Sequence, residues 1–127
     1  MRALVIDDSR AMRRIVESIL TGLGYEVRQA GDGREALDVL GSGWVPDLAT
    51  VDWNMPVMDG LQFVSAVRAN PAYRSMTIMM VTSESEHTQI VRALAAGAHE
   101  YVIKPFTADA LRDKLALLGL LPQEVAL

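Results

Sequence analysis

The sequence predicts an open parallel α/β sheet with helices on both faces, and three observations predict it. Short apolar runs alternate with amphipathic stretches five times along the 127 residues. Glycine and proline punctuate the alternation, at Gly24, Gly41, Gly43, Pro71 and Gly97. Charged residues stand where apolar runs stop: Asp7 and Asp8 close LVIDDS, Asp52 closes LATVDWNMP, and Lys104 closes YVIKPF. Strand alternating with helix implies parallel pairing through right-handed crossovers. The carboxyl ends of such strands line one crevice, so Asp7 and Lys104 meet there although they lie far apart in the chain.

Each element follows from its local pattern. The first strand is read over Ala3–Asp7. From Met12 the apolar positions Met12, Ile15, Val16, Ile19, Leu20 and Leu23 fall on one helical face, and Gly24 stops the helix. Glu26–Ala30 reads as a second strand, with Gly31 and Gly33 as turn signals. A short helix around Glu35–Leu40 ends at Gly41-Ser42-Gly43, and Leu48–Val51 is a buried third strand. Asp59-Gly60 opens a third helix that carries Phe63, Val64 and Val67 inward and ends before Pro71. Thr77–Val81 is the fourth strand, too apolar for an exposed edge. A fourth helix runs from Glu86 to Ala96 and stops at Gly97, and Tyr101–Ile103 is the fifth strand. Thr107 caps a fifth helix carrying Leu111, Leu115 and Leu118. The domain is assigned to residues 1–120, with 121–127 as a C-terminal tail lacking periodicity. Spacing alone leaves the strand order open.

Composition narrows the function. The chain is 50% hydrophobic and 22% charged, which excludes disorder. A net charge of -4 argues against nucleic acid as a partner, and Arg13 and Arg14 are too few to form a basic patch. With no cysteine there is neither a disulfide nor a thiolate metal site, as suits a reducing cytosol. No secretory pattern precedes the first strand, and no apolar run approaches the ~20 residues of a membrane span. A cytoplasmic protein without a membrane partner is expected. Three carboxylates facing one lysine are costly to assemble unless a cation such as Mg²⁺ neutralises them, which points to phosphate chemistry. His87 and His99 lack metal-ligand spacing and read as surface residues. Trp44 reads as a loop anchor, and the methionines as core filler.

DDS after strand one, DWNMPVMDG after strand three, VTSES after strand four and YVIKPF after strand five together resemble the receiver domain of two-component response regulators. The resemblance covers nearly the whole chain and is nearest to the single-domain chemotaxis type. It implies a flavodoxin-like sheet in the order 2-1-3-4-5. It also implies that Asp52 is the phosphoacceptor, a carboxylate nucleophile that forms an acyl phosphate. Asp8 would ligate Mg²⁺ directly and Asp7 mainly through water, with Asp52 and the backbone carbonyl of Asn54 completing the protein's share. Lys104 would hold a phosphoryl oxygen, and Thr82 would offer its hydroxyl to another. Tyr101 would report the event to a partner face that includes Ile90 and Lys114. Asn54 and Glu84, two positions after the acceptor and the switch threonine, would tune dephosphorylation. The resemblance further implies a cis Lys104-Pro105 bond.

The implied function is a signalling switch rather than an enzyme acting on outside substrates. It accepts phosphate from a histidine kinase or histidine phosphotransfer protein and then binds a downstream target. A receiver cut from a longer regulator with an output domain has the same sequence features. A Mg²⁺-dependent aspartyl phosphatase fits poorly, because Asn54 stands where that chemistry wants a second acid. A constitutive interaction module would not need so complete a site.

Overall fold

The computed structural model describes residues 1–83 and 87–122. Among these, five strands and five α-helices alternate: β1 (Arg2–Ile6), α1 (Arg10–Gly22), β2 (Glu26–Ala30), α2 (Gly33–Gly41), β3 (Leu48–Asp52), α3 (Gly60–Arg68), β4 (Thr77–Ser83), α4 (His87–Ala96), β5 (Glu100–Lys104) and α5 (Ala108–Leu117). A single 3-10 turn, Pro71–Tyr73, links α3 to β4. All the strands pair in parallel. Their order is β2-β1-β3-β4-β5, as the resemblance implied.

Every expected element is present, and the differences lie at the ends. β1 stops before Asp7, whose carbonyl leaves the ladder to accept a hydrogen bond from Arg13 Nη1 at 2.7 Å. α2 begins at Gly33 rather than Glu35, because the Asp32 carboxylate accepts the Glu35 N–H at 2.8 Å and caps the helix two residues early. β4 extends past Val81 and β5 gains a residue at each end, since Thr82 registers with Ile103 and Ser83 with Lys104. The expected start of α4 at Glu86 lies outside the described residues, as does most of the assigned tail. Of that tail, Leu121 packs with Leu120 against the core, and the Leu120 carbonyl accepts the Tyr25 hydroxyl at 2.6 Å.

Alternation along the strands divides the core into two layers. Leu4, Ile6, Ala49, Val51, Ile78 and Met80 face α2, α3 and α4, where Leu40, Phe63, Val64 and Val67 meet them. Ala3, Val5, Leu48, Met79, Val81 and Val102 face α1 and α5, against Val16, Leu20, Leu111 and Leu115. Each large aliphatic buried in this way contributes ~1.5–3 kcal/mol. The α1 stripe is narrower than its sequence suggests: Ile15 is 52% exposed, and Val16 and Leu20 carry the contact. Met76, Met79 and Met80 are fully buried, as core filler should be. Trp44 is a buried anchor, with the Arg28 guanidinium 4.7 Å and that of Arg2 5.6 Å from its ring centroid.

Candidate functional site

The site stands on the carboxyl ends of β1, β3, β4 and β5. A continuous apolar strand delivers each of its residues to one edge. β3 is buried along its whole length and ends on Asp52, itself 6% exposed. The turn after Asp52 is held by α3. The Asp59 carboxylate accepts the Gln62 N–H at 2.8 Å, and the Gln62 side chain accepts the Asp59 N–H at 3.0 Å, closing a capping box. Gly60 lets this helix start come close: a Cβ there would lie 2.5 Å from the Asp52 carbonyl oxygen. Its N–H donates to the Trp53 carbonyl at 3.0 Å.

One carboxylate oxygen from each of Asp7, Asp8 and Asp52 lies within 4.8 Å of the other two. Asp7 and Asp52 are buried while Asp8 is exposed, so the cluster opens to solvent on the Asp8 side. Lys104 Nζ sits 3.2 Å from Asp52 Oδ1 and 3.5 Å from Asp7 Oδ2. The Ser9 N–H donates to Asp7 Oδ1 at 2.8 Å, which fixes the Asp7 carboxylate while the Ser9 side chain caps α1. The Lys104-Pro105 bond is cis, as expected from the resemblance.

Charge here is under tension. Burial, followed by the repulsion of Asp7, pushes the Asp52 carboxyl from 3.8 up to about 6 even though Lys104 opposes the shift. Burial also raises Asp7, against the Ser9 N–H and Lys104. Burial alone would lower Lys104, but its attraction to Asp52 and Asp7 prevails and holds the ammonium above the ordinary lysine value. One lysine therefore compensates three carboxylates only in part. This oxygen-rich, partly open, negatively charged donor set fits a hard divalent cation that keeps some of its waters.

Thr82 lies on β4 beside this cluster, 1% exposed, with its hydroxyl donating to the Ser83 carbonyl at 3.0 Å. Asn54 is exposed on the turn after Asp52. Glu84 lies outside the described residues. Tyr101 is half-buried on β5, and Lys114 Nζ sits 4.5 Å from its ring centroid. Ile90 departs from expectation. It is 5% exposed and packs inward, while the large apolar side chains that α4 exposes include Val91 and Leu94. Two contributors escaped the sequence reading. Arg13, considered there only for nucleic acid, donates to the Asp7 carbonyl and to Gln29 Oε1 at 3.0 Å, bracing the β1 end. Glu100 pairs with Lys114 at 3.2 Å, and no local motif marks that contact.

Residues 3–116 match the model of the response regulator receiver domain. The chain belongs to that family. This receiver is therefore a phosphoacceptor of two-component signalling. It is 45% identical over 116 residues to the chemotaxis protein CheY homolog of Campylobacter jejuni, covering 91% of this chain and 89% of that protein. It is 43% identical to the chemotaxis protein CheY of Pseudomonas aeruginosa, covering 91% and 93%. Among solved structures, the Vibrio cholerae chemotaxis protein CheY4 superimposes with a TM-score of 0.83 at 38% identity, covering 91% of this chain and 96% of that one. Among the described residues, no helix of the receiver is long and apolar enough to cross a membrane.

Proposed function

We propose that Asp52 takes a phosphoryl group from a histidine kinase or a histidine phosphotransfer protein, and that the acyl phosphate switches a partner-binding face in chemotaxis-like signalling. One observation carries the reading: a buried carboxylate at the end of β3 sits 3.2 Å from Lys104 Nζ and within 4.8 Å of two further carboxylates. In the transfer, an Asp52 carboxylate oxygen forms a bond to phosphorus as the P–N bond to the donor histidine breaks, and the imidazole keeps the electron pair. Mg²⁺, held by Asp7, Asp8, Asp52 and the Asn54 carbonyl, would neutralise charge on the phosphoryl oxygens. Lys104 exchanges its hold on the Asp52 carboxylate for a phosphoryl oxygen. Thr82 turns its hydroxyl from the Ser83 carbonyl to a second oxygen, and the space it leaves lets the Tyr101 ring reposition. The face built from α4, β5 and α5 changes in consequence, with Tyr101 and Lys114 as its contacts and the buried Ile90 supporting it from beneath. A coupling of ~1–3 kcal/mol between site and face gives a 5- to 150-fold change in partner affinity.

The similarity to chemotaxis proteins at 43–45% identity supports the signalling class, and the direct adjacency of Tyr101 to Lys114 supports the choice of face. Asn54 and Glu84 are assigned to setting a phosphoryl lifetime of seconds to minutes. The test is intact-mass analysis after incubation with acetyl phosphate and Mg²⁺. One phosphoryl group is expected on the parent and none with EDTA. Equal labelling of an Asp52→Asn variant would move the acceptor elsewhere.

A further inference from the structure

We propose that Glu100 is a built-in clasp on the partner face: its carboxylate holds Lys114 over the Tyr101 ring, and this clasp must open before either residue can engage a partner. The proposal rests on the reading of Tyr101 and Lys114 given above.

Glu100 Oε1 makes two contacts at once. It accepts the Tyr101 N–H at 2.9 Å and pairs with Lys114 Nζ at 3.2 Å. The same ammonium lies 4.5 Å from the Tyr101 ring centroid, so three side chains form one closed unit of anion, cation and aromatic face. The Lys114 and Glu100 side chains are only 30% and 27% exposed, which removes part of the water that weakens a surface ion pair. β5 is an edge strand. An outward N–H on such a strand has no strand partner, and the Glu100 carboxylate caps that of Tyr101.

Beside this unit lies a cavity of about 380 Å³ lined by Tyr101, Ile103, Pro105, Phe106, Ala110 and Lys114. The cation at its rim is already neutralised by the chain's own carboxylate. An incoming partner meets a face whose charge is satisfied and whose aromatic ring is pinned. The clasp therefore lowers binding in the resting state. It also favours partners that bring a carboxylate of their own to replace Glu100 on Lys114. Glu100 is thus a positioning residue acting through Lys114 and Tyr101, distant from the phosphoryl chemistry.

The test uses the full chain labelled with 3-fluorotyrosine, the Tyr101 resonance being assigned through Tyr101→Phe. Glu100→Gln retains an acceptor for the Tyr101 N–H but removes the charge. Its resting Tyr101 signal is expected to move to the position seen in Lys114→Gln, with the unclasped population rising about five-fold over the parent. Added salt should move the parent the same way, and Glu100→Gln should have no further effect in the Lys114→Gln background. A resting signal in Glu100→Gln that coincides with the parent overturns the clasp, as does an equally large effect of that substitution when Lys114 is absent. Labelling of Asp52 by acetyl phosphate is measured in the same samples. Absence of labelling in the parent would remove the proposed function, while the resting spectra still decide the clasp.

Discussion

Asp52 carries the sharpest consequences at the scale of single residues. Its folded carboxyl binds a proton more tightly than the unfolded chain's, at about 6 against 3.8. It therefore favours folding below pH about 4, and that contribution is lost as pH climbs through about 6. A shift of this size corresponds to ~3 kcal/mol. The metal-free protein should melt at a lower temperature at pH 7.5 than at pH 5. Asp52→Asn should melt higher than the parent at pH 7.5 and show a smaller fall between the two pH values, as thermal denaturation in EDTA will show. Trp53, buried next to Asp52, should change its emission on Mg²⁺ titration in a Trp44→Phe background. A flat titration with the fold intact would count against metal binding by the cluster. The charged residues of this site were legible because each ends an apolar run, and run endings survive in one dimension. Arg13 was not, since a guanidinium reaching a main-chain carbonyl leaves no pattern in the sequence. Ile90 was assigned to the partner face by the resemblance alone, which carries no information on burial: it is 5% exposed, whereas its neighbour Val91 is 71% exposed.

For the elements, the start of α3 decides how Asp52 is presented. Asp59→Ala removes an acceptor from the capping box and should cost about 1 kcal/mol in urea denaturation. Gly60→Ala should cost more, because its methyl meets the Asp52 carbonyl oxygen at 2.5 Å and backbone has to yield. It should also slow labelling by acetyl phosphate, whereas Asp59→Ala should leave the labelled fraction near that of the parent. The existence and type of all ten elements were readable from periodicity and punctuation. Their ends were less so. Asp32 sits between two turn-forming glycines, and only the folded capping contact shows that the helix already begins at the second of them. The β4 and β5 extensions depend on register between the two strands, which neither strand's own sequence encodes.

For the whole molecule, Mg²⁺ at tenfold excess over its dissociation constant should add ~1.4 kcal/mol of stability at neutral pH, and Asp52→Asn should diminish that gain. Strand order was the part of the architecture that spacing left open. Parallel crossovers permit several orders, and the observed one followed from the resemblance. The opposite end of the sheet works by another logic. There the Arg68 guanidinium donates to the carbonyls of Gly97 at 3.0 Å, Tyr73 at 3.1 Å, Arg74 at 3.4 Å and Met76 at 2.7 Å. Arg68→Lys cannot span that fork and should cost about 3 kcal/mol, measurable by denaturant titration. These acceptors are neutral main-chain oxygens, so neither protonation of a carboxylate partner nor added salt dissolves the arrangement. Amide protection should accordingly respond to ionic strength and divalent ions around Asp52 and stay indifferent to them around Met76 and Gly97, while acid reaches the Arg68 end only through His99, whose Nδ1 accepts the Ile78 N–H at 3.1 Å and lies 3.3 Å from Arg68 Nη2. The domain thus has a moored end and a responsive one, and a signal arriving at the second has something fixed to push against.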